Sequence, residues 1–281
     1  MTRHRKSRPK ESQIGRANSA TPKTIAVNSS EPPRPQRNLG LARAISKMGY
    51  CSRSRAEEAI RAGRVRVNGA VRRNVEAPVH LGKDRVEVDG HKIKQSEKIY
   101  LMLNKPRGVV TTANDQRGRD TIYSFLEKYN DGSLNWVAPV GSLDKASEGL
   151  LLITNDSEWA AKITAPETHV DKIYHVQIAG QATPAMIEKL QSGFAVKDGE
   201  FLRVKRAKAI RSGERNCWLE IVLDEGRNRH IRRMFETMGI EVLRLIRVAI
   251  GALKLGDLPK GEVRALSEQE RLLLFRKASA D

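Results

Sequence analysis

The fold is most constrained by the apolar segments beyond residue 97, which are short, of strand length, and separated by helices in no regular order. Ile99–Leu103 is a compact apolar run, and Leu150–Thr154 reads as a strand buried on both faces. Tyr174–Ile178 alternates as a half-buried strand does, and Trp136–Val140 and Trp218–Leu223 add two more. Val109–Thr112 follows the Asn104–Gly108 punctuation. Helices are expected over Thr121–Lys128, over Glu158–Ile163 behind an Asp156 or Ser157 cap, and over Pro184–Ser192. Ile231, Met234, Phe235 and Met238 fall at i, i+3, i+4 and i+7, a buried helical stripe that Gly239 ends. Strands and helices mixed without a βαβ rhythm predict an α+β domain over 97–281, built on a mixed, largely antiparallel sheet with flanking helices.

Residues 39–96 differ in texture. Leu41, Ala42, Ala44, Ile45 and Met48 recur at helical spacing up to Gly49. Ser54 and Glu57 have capping-box spacing, so a second helix is expected to start there and run to Gly63. Two short alternating strands follow, Arg64–Val67 ending at Asn68-Gly69 and Arg85–Val88 ending at Asp89-Gly90. This is a minimal αβ module, and Arg43, Lys47, Arg53, Arg55, Arg61, Arg64 and Arg66 cluster on and around its helix pair. Residues 1–38 hold few large apolar side chains, several prolines and many cations, and are expected to be a disordered basic tail.

The net charge of +18 with a pI near 10.2 says little about fold but predicts a polyanionic partner, nucleic acid first. No basic amphipathic helix suits a membrane surface, and no apolar run approaches the roughly 20 residues of a spanning helix. The N-terminus lacks the apolar stretch of a signal peptide, although its basic, serine-containing character loosely resembles a transit sequence. Cys51 and Cys217 stand far apart without ligand-spaced neighbours. Neither a disulfide framework nor a metal site is expected, and a reducing cytoplasm fits best.

Three stretches could carry chemistry. In residues 139–156, PVGSLDKASEGLLLITND, a strand leads to Gly141, a loop presents Asp144, and a Ser147-Glu148-Gly149 turn returns the chain into a buried strand. A loop acid held between core strands is positioned yet reachable, although a loop aspartate is more often a turn former. In the second stretch, Tyr174 on a strand beside Lys172 can stack on a base near a phosphate. A core tyrosine, and a surface pair of Lys172 with Glu167 or Asp171, are the plainer alternatives. The third, residues 225–235, holds four arginines in seven residues, Arg227, Arg229, Arg232 and Arg233. Such a run usually forms a solvated face, but an arginine beside the apolar stripe can turn inward, where it needs a carboxylate.

The segment LARAISKMGYCSRSRAEEAIRAGRVRVNG resembles the small RNA-binding domain shared with a small-subunit ribosomal protein, the S4 type. NKPRGVVTT, PVGSLDKASEGLLLITND, KIYHVQIAG, EGRNRHIRRMFETMGIEVLRLIRVAIG and LPKGEVRAL, in that order, resemble the pseudouridine synthases that modify ribosomal RNA and carry this domain at the N-terminus. The resemblance implies that Asp144 is the catalytic aspartate, Tyr174 the base-stacking tyrosine and Arg232 the arginine paired with Asp144. Lys172, Arg227 and Arg229 join the substrate-binding set, and no cofactor or metal is implied. One position departs: the family usually has arginine two residues before the aspartate, thought to contact the space left by the flipped base, and here it is Ser142. Lys145 is a candidate substitute.

The expected activity is isomerisation of a uridine in ribosomal RNA. The uridine rotates out of its stack, and its bond to ribose is broken and remade at a ring carbon. Asp144 would attack the ribose or remove a proton in a glycal route. Either role needs it ionised, a state that an adjacent guanidinium favours by about 1–3 pKa units. A monomer acting on RNA of a ribosome-assembly intermediate is expected. The competing reading is a ribosomal-RNA-binding assembly factor without catalysis. A two-carboxylate glycosidase would need Glu148 as its second acid, and nothing argues for a sugar cleft.

Overall fold

The computed structural model describes residues 38–112, 115, 117–127 and 136–276. The basic tail assigned to residues 1–38 lies, except for Asn38, outside the described residues, as does Lys128 at the end of an expected helix.

The first part of the described chain contains β1 (Leu39–Gly40), α1 (Leu41–Lys47), α2 (Arg53–Arg61), β2 (Val65–Val67), β3 (Ala70–Val71), β4 (Pro78–Val79), β5 (Val86–Val88) and β6 (His91–Lys92). The strands form a four-stranded sheet in the order β3-β2-β5-β6 and a β1–β4 ladder. Both hairpins turn through two residues at positive φ, Asn68-Gly69 (52° and 82°) and Asp89-Gly90 (51° and 79°), as the two-residue turns predict. Leu41, Ile45, Ala56, Ile60, Val65 and Val88 form a core of their own. The capping residue of α2 is Ser52 rather than Ser54. The Ser52 hydroxyl accepts from the Arg55 amide at 3.2 Å, so the helix starts two residues early, and Glu57 pairs with Arg53 and Arg61 instead of closing a box.

The larger part continues with β7 (Tyr100–Lys105), β8 (Ala138–Pro139), β9 (Glu148–Thr154), α3 (Ser157–Thr164), β10 (Lys172–Ala179), α4 (Pro184–Ser192), β11 (Phe194–Ala195) and β12 (Phe201–Leu202). It ends with β13 (Arg206–Ser212), β14 (Asn216–Leu223), α5 (His230–Thr237), β15 (Val242–Ile250), β16 (Leu253–Lys254), β17 (Val263–Ala265) and α6 (Glu268–Leu273). Nine of these strands form one sheet, in the order β13-β14-β10-β15-β9-β7-β17, with β16 on β15 and β8 on β9. Every pair is antiparallel except β15–β9. The sheet is therefore mixed and largely antiparallel, and the fold is the α+β arrangement the sequence predicts.

Helices α4 and α5 cover one face of the β13-β14-β10-β15 half, burying Leu190, Ile231, Met234 and Phe235 against Val176, Ile178, Leu219 and Ile221. Side chains alternate along a strand, so Lys172 and Tyr174 share the face of Val176 and Ile178. Asp156 caps α3 by accepting from the Glu158 and Trp159 amides.

Four local expectations change. Val109–Thr112 forms no strand, only a bridge from Val110 to Thr121. The helix expected at Thr121–Lys128 is a single 3-10 turn, Ile122–Phe125, capped by the Thr121 hydroxyl and docked by buried Ile122. The strand over Trp136–Val140 is reduced to Ala138–Pro139, beyond which the Val140 amide still donates to Leu152 O at 2.8 Å. The chain reverses at Asp144–Ser147, where the Ser147 amide donates to the Asp144 carbonyl at 2.9 Å, and Glu148 and Gly149 already belong to β9.

Candidate active site

Asp144 sits on the loop between β8 and β9, with its side chain 29% exposed. Five consecutive backbone carbonyls hold this loop. Thr111 Oγ1 donates to Leu143 O at 2.8 Å, the Gly108 amide to Lys145 O at 2.7 Å and Arg232 Nη2 to Ala146 O at 2.9 Å. Lys105 Nζ donates to both Asp144 O (3.2 Å) and Ser147 O (2.9 Å), and also to Pro106 O at 3.1 Å. Leu143 is buried beneath the loop. Lys105 is fully buried, and that burial pushes its pKa down to about 8 against the opposing pull of Asp144 and Glu148. A lysine in NKPRG looks like a turn cation in sequence; in three dimensions it clamps the loop that presents Asp144.

Asp144 and Tyr174 line one cavity with Lys172, Arg227, Asn228, Arg229, His230 and Arg247. Arg232 approaches Asp144 from α5, its Nε 4.0 Å from Oδ2. That is a through-space ion pair at the edge of contact; the hydrogen bonds of the guanidinium go to Ala146 O and, at 3.4 Å, to Val242 O. Burial lowers the pKa of Arg232, and Asp144 offsets part of that effect. Tyr174 is half-buried, packed against both the α4–α5 core and the cluster that contains Leu143.

Lys172 does not make the surface pair considered for it. Asp171 accepts both of its bonds from Lys205, at 2.6 and 2.9 Å, and Lys172 is buried facing the cavity. Arg247 is a residue the motif reading did not single out. It is 5% exposed, and its Nε donates to Leu150 O at 2.7 Å. Arg227 stands on the cavity wall tied to Glu200 and Glu225, whereas Arg229 is exposed at the start of α5 with φ 47°. Arg233 points away from the cavity to Asp198 and Glu200.

Glu148, the second acid a glycosidase would need, is 2% exposed and absent from the cavity lining. Arg244 Nε and Nη2 each reach it at 3.0 Å and Lys260 Nζ at 2.6 Å, so it is a buried ion-pair anchor. Ser142 and Lys145 are both exposed, but only Ser142 lines the cavity. Of the cations expected to bind RNA in the small module, Arg64 is bidentate to Asp89, Arg53 and Arg61 share Glu57, and Lys47 reaches Glu158 on α3. Arg43 and Arg55 make no ion pair among the described residues. Exposed pairs of this kind are screened by solvent and contribute little, so they can be exchanged for phosphate contacts.

Residues 99–237 match the family described as RNA pseudouridylate synthase, and residues 39–86 match the S4 domain. A ribosomal large subunit pseudouridine synthase B of Bacillus subtilis is 35% identical over 231 residues, 82% of this chain and 93% of the relative. An RNA pseudouridine synthase of Aquifex aeolicus is 36% identical, covering 83% of this chain and 92% of its own length. Among solved structures, a pseudouridylate synthase 29% identical in sequence superposes with a TM-score of 0.60, covering 84% of this chain and 99% of that one. A mixed sheet, an S4 module ahead of it and identity at this level over most of both chains place the protein in one group: it belongs to the RNA pseudouridylate synthase family, isomerases that carry an RNA-binding domain here.

Proposed function

We propose that this enzyme converts a uridine of ribosomal RNA to pseudouridine, with Asp144 as the working carboxylate. The observation that carries this reading is the loop whose carbonyls at 143–147 are all held, so that one partly exposed acid faces a cavity shared with Tyr174 while Arg232 stands at its side. A rigid acid beside an aromatic surface suits a nucleotide rotated out of its stack. Ribosomal RNA as the substrate is supported by the Bacillus relative, whose name specifies the large ribosomal subunit.

In the reaction, Tyr174 would stack on the uracil, and Arg227 and Arg229 on the wall would meet the neighbouring phosphates. Asp144 would either bond to the ribose carbon or take the adjacent ribose proton. The S4 module, through Arg43, Lys47, Arg53, Arg55, Arg61 and Arg64, would dock on structured RNA. A monomer in the cytoplasm working on an assembly intermediate fits this chemistry, because flipping costs least before the RNA is fully packed.

The test is to incubate the protein with transcripts of each ribosomal RNA labelled with tritium at uracil C5, and to map pseudouridine at single-nucleotide resolution. Tritium release from one site is the expected result. Tight binding with no release would make the protein an RNA-binding assembly factor instead. A related prediction concerns Ser142, exposed at the cavity edge beside Gly141 (φ 70°). Ser142→Arg restores a cation at the rim, and its single-turnover rate should rise roughly tenfold, a gain of about 1.4 kcal/mol. A slower variant would mean that the cleft has adapted to serine.

A further inference from the structure

Two buried cations in the cavity have no ion-pair partner among the described residues. Lys172 is 9% exposed and Arg247 is 5% exposed, and both line the cavity with Asp144 and Tyr174. Arg247 pairs directly across the sheet with Tyr174, and Lys172 lies two residues before Tyr174 on the same face of β10. Leu150 O holds Arg247 by its Nε, while Nη2 is buried without a partner among the described residues. The Lys172 ammonium makes no hydrogen bond or ion pair among the described residues. Its acidic neighbours are Asp171, which is committed to Lys205, and Asp224. The cation facing Asp144 is Arg232, so Lys172 and Arg247 are surplus to the charge of the carboxylate. The two also repel each other: burial, and then Arg247, pushes the Lys172 pKa down.

Burying an unpaired charge costs several kcal/mol, and burying two side by side costs more. Such an arrangement fits a site whose anion arrives with the substrate. Two sources of negative charge are available, a phosphate of the RNA and the base itself. Lys172 and Arg247 flank Tyr174, the residue that would hold the base, and this favours the second source.

We propose that Lys172 and Arg247 contact the uracil ring and stabilise the negative charge it carries once its bond to ribose has broken. The proposal rests on the assignment of the chemistry to this cavity. The C1′–N1 bond breaks and its electron pair goes to the base, where it spreads over N1, O2 and O4. C1′ is satisfied by a bond from the Asp144 carboxylate, or the C2′ proton passes to Asp144 and leaves a glycal. The base turns, and C5 forms the new bond to C1′, displacing the carboxylate or regaining the proton at C2′. The C5 proton then leaves to water and N1 takes up a proton from water, so that the product is a neutral isomer of uridine and the carboxylate is restored. Both routes pass through the same uracil anion. Donors aimed at charge that develops only during reaction lower the barrier more than they tighten binding.

The test compares transcripts made with uridine or with 5-fluorouridine, whose electron-withdrawing fluorine makes the base a better leaving group. Loss of the target nucleoside is followed in single turnovers of wild type and Lys172→Met. The expected penalty on uridine is about 10²- to 10³-fold, and it should shrink at least about tenfold on 5-fluorouridine, one factor of ten being about 1.4 kcal/mol of barrier. The RNA dissociation constant and its salt dependence should not change. The melting temperature should hold or rise, because a buried unpaired cation has gone. Equal penalties on the two RNAs would overturn the proposal. Weakened binding with a shallower salt slope would also overturn it, in favour of a phosphate site. Arg247→Lys keeps the charge but loses the two-edged geometry, and it supplies the same comparison if Lys172→Met is recovered unfolded. A wild type that converts no uridine would refute the functional reading rather than this one.

Discussion

Asp144→Asn should lose at least about 10⁴-fold in pseudouridine formation, since the amide can neither bond to the ribose carbon nor take its proton. Binding of the same RNA should stay within about threefold, because the side chain is one small contact among many. The substitution is expected to be quiet in the fold. The carbonyls at 143–147 are held by Thr111, Lys105, Gly108, Arg232 and the Ser147 amide, through hydrogen bonds none of which is made to the Asp144 carboxylate. Arg232 loses a partner 4.0 Å away but keeps its bonds to Ala146 O and Val242 O. Tritium release and filter binding on the same preparation check both halves. Wild-type turnover by Asp144→Asn would remove the carboxylate from the mechanism. A collapse of binding and melting temperature together would make it a structural acid.

The residues that touch the cavity were legible in sequence where a local rule fixes their direction. Alternation along Tyr174–Ile178 puts Lys172 and Tyr174 on one face, and the helical stripe of Ile231, Met234 and Phe235 leaves Arg232 beside it. Hairpins at Asn68-Gly69 and Asp89-Gly90 follow from turn chemistry alone. What sequence could not show depends on contacts distant along the chain. Strand β15, central in the sheet between β10 and β9, carries Arg244 and Arg247 within an apolar run and shifts register twice against β10, so its periodicity is blurred. Arg247 becomes a cavity residue only because β15 pairs with β10 opposite Tyr174. Glu148 reads as a turn acid until Arg244 and Lys260, about a hundred residues later, are seen to hold it. The loop of Asp144 was legible as a loop, but its rigidity was not, because the clamp comes from Lys105 and Thr111 on another segment.

Lys105→Met tests that clamp, and its effect should be second only to loss of the carboxylate. The substitution removes the donor shared by Pro106 O, Asp144 O and Ser147 O. Carbonyls left without partners cost about 1–3 kcal/mol each, while removal of a fully buried ammonium returns much of that. Net stability should therefore move by no more than about 2 kcal/mol, whereas an Asp144 loop displaced by an ångström costs about 10²-fold in rate. The wild type should show the same weakness as pH rises. The Lys105 ammonium is depressed to about 8 in the folded protein, whereas the unfolded chain keeps that proton to about 10.4. Between those values the unfolded state binds more protons, so this group makes folding more favourable as pH rises. The neutral amine, however, has two N–H donors for three carbonyls, so the grip on the loop slackens in the same window. Single-turnover rate should thus fall through about pH 8 with no matching fall in melting temperature from this group, and Lys105→Met, already slow, should lack that limb. A limb near pH 8 that survives in Lys105→Met would belong to another group and would reduce Lys105 to a packing residue.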